Sequence, residues 1–139
     1  MATRVAFQDT SSEQSSWLLL RMYDAALSAM ERARRGICLQ NIVDKGRHIS
    51  KAISILHELT VALEDRDDPL SRNLDSLYLL CTARLLRASA DMDEKPVIVA
   101  QDIIGKLREA VACGIPSMPR DGRKAHVLAF PDKEAAVAS

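Results

Sequence analysis

Aromatic residues make up only 4% of the 139-residue chain, one Trp, two Tyr and two Phe. The interior must therefore be built from Leu, Ile, Val, Ala and Met, a mix that favours helices. Neither charge is in surplus, with 19 Lys plus Arg against 19 Asp plus Glu. Nothing is left over to neutralise a phosphate backbone, and no nucleic-acid partner is expected. No stretch approaches the ~20 uncharged residues of a membrane span, and the opening MATRVAFQDTSSEQSS lacks an apolar signal core. A soluble, unprocessed cytosolic protein without membrane insertion is the expectation. Cysteine is scarce as well. Cys38, Cys81 and Cys113 are odd in number and far apart in apolar helical settings, so all three read as reduced core residues.

A chain of this length supports one domain with its own core. Residues 1–15 are polar and serine-rich, with Phe7 the one large apolar side chain, and read as a flexible arm ending at Ser15 and Ser16, either of which suits a helix cap. From Trp17 the row Leu20, Tyr23, Leu27, Met30, Ala33 and Ile37 steps by three or four residues, as one buried helical face requires. Gly36 costs about 1 kcal/mol relative to Ala inside a helix, so this helix either frays there or runs on to Leu39, with Asn41 placed to start the next. The second helix carries Ile42, Gly46, Ile49, Ile53, Leu56, Thr60 and Leu63 and stops in EDRDD. Asp68 before Pro69 is a strong start signal for a third, from about Leu70 to Ala90, whose core row is Leu70, Leu74, Leu77, Cys81, Leu85 and Ala88. DMDEKP repeats the signal ahead of the fourth helix, with Ala100, Ile104, Leu107 and Val111 inward. Gly114, Pro116 and Pro119 end it, and residues 114–139 read as a mobile tail. Four helices joined by short connections predict an all-α, antiparallel up-down four-helix bundle over residues 16–113.

Catalytic chemistry is missing from the pattern. His48, His57 and His126 form no Glu-x-x-His pair and no His–Cys cluster, so neither metal nor cofactor is expected. His57 and Glu58 are helical neighbours pointing about 100° apart, and Cys81 shares its face with leucines. An enzyme is not expected. What stands out is an apolar excess: Trp17, Leu18, Leu19, Leu20 and Met22 on the first helix, and Leu79, Leu80, Leu85 and Leu86 beside Tyr78 on the third, more than one buried stripe needs. The excess implies a second hydrophobic face. Either the arm, the tail or a second copy covers it, or it is a groove for a partner's amphipathic helices.

The stretches LLLRMYDAAL, with Met22, Tyr23 and Asp24, then KAISILHEL from Lys51 to Leu59, NLDSLY from Asn73 to Tyr78, and LREA from Leu107 to Ala110, resemble in order and spacing the flagellar secretion chaperones of the FliS type. Val111 stands where that family usually has tryptophan, and Phe7 is the candidate counterpart of its N-terminal tyrosine, at a shorter spacing. The resemblance implies a cytosolic chaperone of a flagellated bacterium that binds the disordered C-terminal segment of flagellin, prevents its polymerisation and delivers it to the export gate. Gate components or a co-chaperone are further implied partners. It also implies a partner-binding set of Tyr23, Asp24, Asn73, Leu74, Leu77 and Tyr78, the tyrosines offering flat apolar area and Asp24 and Asn73 hydrogen bonds. A structural role in the bundle is the alternative for each. For the whole protein, the alternative is a generic helical adaptor or homodimerising bundle.

Overall fold

A computed structural model describes residues 2–114, with side chains from Ser16 onward. Four helices follow one another: α1 from Ala2 to Cys38, α2 from Ile42 to Val61, α3 from Pro69 to Asp91 and α4 from Lys95 to Ala112. There is no strand among the described residues. α1 packs on α2 and α4, and α3 packs on the same two, so α1 and α3 are diagonal across the bundle. Short connections at 39–41, 62–68 and 92–94 force consecutive helices to run antiparallel, giving the predicted bundle.

The helix ends follow from local chemistry. Asn41 caps α2 by accepting from the Asp44 N–H at 3.1 Å, and Asp68 caps α3 by accepting from the Ser71 N–H at 3.3 Å, with Pro69 in the first turn. Asp93 accepts from the Lys95 N–H at 3.0 Å and starts α4. α1 closes through Gln40 in the left-handed region, φ 55°, with the Asn41 N–H bonded to the Gly36 carbonyl at 2.8 Å and the Gln40 N–H to the Ile37 carbonyl at 3.0 Å. That six-to-one and five-to-two pair satisfies carbonyls the helix would otherwise orphan. Glycine suits position 36, despite its cost inside a helix, because α2 comes so near. A Cβ there would lie 2.8 Å from the Lys45 backbone nitrogen.

The core is aliphatic, as the composition requires. Ala26, Met30, Ala33, Ala52, Leu56, Cys81, Leu85, Ala100, Ile104 and Leu107 are all buried. Small residues on facing helices let the backbones approach. Three expectations are corrected. α1 begins at Ala2 rather than near Trp17, placing Ser15 and Ser16 inside it: no Gly or Pro interrupts the chain before Gly36. On α2 the buried row is Ile49, Ala52, Leu56 and Leu59, while Ile42 is 66% exposed, since it sits in the first turn beyond the end of α1. Cys38 and Cys113 are exposed because each lies where its helix runs out, and only Cys81 is in the core. The side chain of Phe7 and the segment 115–139, read as a tail, lie outside the described residues.

A polar network fixes α1 against α4. Arg34 grips Glu31 with Nε and Nη2 at 3.1 and 2.7 Å and reaches Glu94 with Nη1 at 2.8 Å, while Gln101 donates to Glu31 at 3.0 Å. Hydrogen bonds from Arg34, then Gln101, pull the Glu31 carboxyl down to about 2. A depressed carboxylate pKa contributes stability above its unfolded value and loses it as pH falls through the folded value. The urea midpoint is accordingly expected to drop between about pH 4.5 and 2, and Glu31→Gln to flatten that drop. A midpoint of the variant that falls as steeply as wild type's would remove Glu31 from the account.

Candidate partner-binding surface

Tyr23 projects inward from α1 and Tyr78 from α3, and they meet across the bundle's diagonal. Their hydroxyls are 2.7 Å apart and their rings 6.5 Å apart at a tilt of 56°. Both are buried, at 1% and 2% exposure, so each hydroxyl needs the other as a partner. Burial pushes both phenols up, Tyr78 to about 12, and for Tyr23 the neighbouring Tyr78 adds to the effect. Neither ring offers area to a partner in this arrangement. Together they tie two helices that otherwise scarcely touch.

The remaining four residues of the expected set divide. Leu77 is buried beside Tyr78, and Leu74 is half-buried against the same core. Asn73 is exposed on α3. Asp24 is exposed on α1 and pairs with Arg108 of α4, whose Nη2 lies 3.4 Å from the second carboxylate oxygen. An exposed pair of this kind is worth about 0–1 kcal/mol, and its geometric effect is to set α4's register on α1. The six residues do not form one surface, because Asp24 and Asn73 stand on diagonal helices.

An apolar surface does exist, one row away on α3. Leu79 and Leu86 are 61% and 55% exposed, two turns apart on the same side, with exposed Ala83 between them and exposed Ala90 beyond. Steps of four, three and four residues make this a continuous apolar stripe facing away from the core. Its signal was the leucine excess on the third helix, which the structure resolves into buried Leu85, half-buried Leu80 and the two outward leucines. A second group, Leu39, Ile42 and Val43, is exposed at the α1–α2 turn.

No cluster of His, Cys, Asp and Glu among the described residues is arranged to hold a metal ion. Two surface clefts, one lined by Thr60, Leu63, Ser71 and Asp75 and the other by Gln101, Asp102, Lys106 and Glu109, contain neither histidine nor cysteine. Among the described residues no helix is long and apolar enough to cross a membrane.

Comparison with known proteins agrees with the motif order. The family model described as flagellar protein FliS matches residues 5–112. The flagellar secretion chaperone FliS of Escherichia coli (strain K12) is 33% identical over 101 residues, covering 71% of this chain and 74% of the relative. The protein of the same name from Salmonella typhimurium (strain LT2) is 30% identical over 95 residues, covering 67% and 70%. With the family match spanning all four helices, and the four motifs lying in order within it, the chain belongs to the FliS family of flagellar proteins.

Proposed function

We propose that the protein is a cytosolic export chaperone that binds the C-terminal segment of flagellin, keeps it from polymerising and releases it to the flagellar export gate. The observation that carries this reading is the exposed Leu79–Ala83–Leu86 stripe, an unpartnered helical face on a protein whose relatives are named flagellar secretion chaperones. A filament subunit awaiting export carries an amphipathic terminal segment, and an apolar helix face is the surface that occupies it. Release needs no nucleotide. Ordering a disordered segment consumes about 2–5 kcal/mol of the gross interaction energy, so a broad contact stays reversible.

Tyr23, Tyr78 and Leu77 act in this reading by holding α3 in place, while Leu79 and Leu86 make the contact, with Asn73 on a neighbouring exposed row. Calorimetry of the full chain with the C-terminal segment of its own flagellin is expected to give one-to-one binding with a negative heat-capacity change. Burying a leucine is worth about 1.5–3 kcal/mol, so Leu79→Ser with Leu86→Ser is expected to weaken binding by roughly tenfold or more. Both leucines are exposed, so far-UV circular dichroism should not change. Absence of binding by the folded wild-type protein would sink the proposal, and undiminished binding by the double variant would move the contact elsewhere.

A further inference from the structure

The three most exposed large apolar side chains among the described residues stand together at the α1–α2 turn: Leu39, Val43 and Ile42, at 78%, 69% and 66% exposure. The turn itself does not require them. It closes through backbone bonds to the Gly36 and Ile37 carbonyls and through the Asn41 cap, which also donates from Nδ2 to Asp44 at 3.1 Å. None of these bonds uses a side chain at 39, 42 or 43. The core does not require them either, and the hydrogen-bonded turn holds them in fixed display.

Around this tip the charge is mostly of one sign. Between residues 32 and 51 six basic residues stand against a single acid, Asp44. Two of the six are engaged, Arg34 with Glu31 and Glu94, and Lys45 with the Ser89 carbonyl. Arg32, Arg35, Arg47 and Lys51 are exposed, and among the described residues only Arg35 has an ion pair, a loose one to Glu31 at 3.8 Å. Arg35 precedes Leu39 by four residues and Arg47 follows Val43 by four, so a basic collar lies one helical turn, about 6 Å, behind the apolar tip. The acids of the neighbouring α3–α4 turn are occupied locally: Glu94 by Arg34, Asp91 by Arg87 at 3.7 Å, and Asp93 by the Lys95 N–H. At the far end of the 20-residue α2, about 30 Å away, the turn at 62–68 carries four acids against Arg66. The two ends of the bundle are oppositely charged.

We propose that the α1–α2 turn is a peripheral docking site for an anionic lipid bilayer, with Leu39, Ile42 and Val43 seated at the headgroup–acyl boundary and the basic collar against the lipid phosphates. An interfacial apolar element sinks about 5–10 Å, which brings a collar about 6 Å behind it to phosphate level. The tip projects and holds no aromatic residue, whereas protein interfaces centre on aromatic anchors seated in pockets. A fluid bilayer accepts a projecting aliphatic tip without a preformed pocket. The acidic end is repelled by the same surface and sets the orientation. Three aliphatic side chains and a few free charges give weak, reversible attachment. The contact leaves the Leu79–Leu86 stripe, on the helix diagonal to α1, clear of lipid, so it does not rest on the chaperone reading.

Co-sedimentation of the full chain with vesicles tests the site. Binding is expected with phosphatidylglycerol and phosphatidylcholine in equal parts, weakening as salt is added, and not with phosphatidylcholine alone. Leu39→Ser with Ile42→Ser, and separately Arg35→Glu with Arg47→Glu, are expected to lower the partition coefficient by about tenfold or more. All four side chains are exposed, so circular dichroism should stay unchanged. A gain of signal checks insertion: with the chain's one tryptophan changed by Trp17→Phe, the Leu39→Trp reporter should shift to the blue on anionic vesicles. Folded wild-type protein that does not sediment with anionic vesicles, or an unshifted reporter on protein that does, overturns the proposal. Binding indifferent to the serine pair but competed by polyglutamate assigns the collar to an acidic protein and overturns it equally.

Discussion

Replacing Gly36 by alanine is expected to lower stability by about 1–3 kcal/mol, the cost of forcing an extra carbon into a filled space. The same change at Gly46 or Gly105 is expected to raise it by about 0.5–1 kcal/mol. All three glycines lie inside helices, where alanine is intrinsically favoured. At Gly46 and Gly105 an added Cβ meets nothing within 4 Å, so the backbone-entropy gain acts unopposed. At Gly36 the new carbon would lie 2.8 Å from the backbone nitrogen of Lys45 and 3.1 Å from its Cα, atoms that cannot rotate away. The α1–α2 hairpin must then open. Lys45 in turn donates from Nζ to the Ser89 carbonyl at 3.0 Å, so the shift would loosen α3 as well. Urea denaturation of the three variants tests this: a stabilised Gly36→Ala would show that the two helices do not approach as described.

The second large effect concerns the tyrosine pair. Tyr23→Phe leaves the Tyr78 hydroxyl buried without its partner, and Tyr78→Phe does the reverse, so each single change is expected to cost about 1–3 kcal/mol. The double change removes both hydroxyls and leaves apolar rings of nearly the same shape. Its cost is expected to be well below the sum of the singles. Additive losses in chemical denaturation would mean that the hydroxyls, 2.7 Å apart, are not energetically coupled. The pair also predicts an alkaline limit. Both folded-state pKa values are raised by burial, so the stability they contribute is complete below the unfolded tyrosine value near 10. It is lost as pH rises from there toward about 12, where Tyr78 ionises in the fold. The double phenylalanine variant should lack this part of the alkaline decline.

Much of the bundle was readable in one dimension because helices are local. The Asp68–Pro69 start needs no distant residue, and it stands where expected. The inward row of α4, Ala100, Ile104, Leu107 and Val111, is buried throughout, since a regular period on a straight helix has only one apolar face to bury. α2 shows where this fails. Ile53 and Thr60 fit the period as well as Ala52 and Leu59 do, and the choice turned on where α1 and α3 come to lie. The expected site had the same weakness. A motif names Tyr23, Asp24, Asn73, Leu74, Leu77 and Tyr78 in order along the chain, yet burial puts Tyr23, Leu77 and Tyr78 inside and leaves Asp24 and Asn73 outside on diagonal helices. The apolar stripe was present in the leucine count of the third helix, although its outward members could not be separated from its inward ones by composition.

By itself the sequence determined an all-helical chain, the positions at which α3 and α4 start, the aliphatic character of the interior and membership in a motif-defined family. Those properties rest on propensity, capping and period, which act over a few residues. Only the tertiary structure decided that Tyr23 and Tyr78 bond across the diagonal, that Asp24 meets Arg108, that Gly36 lies against the Lys45 backbone, and that Leu79 and Leu86 face outward while Leu85 faces in. The physical reason is that helix period states how side chains are distributed around one axis. It does not state which neighbour lies against each side, a choice made by the joint packing of four axes.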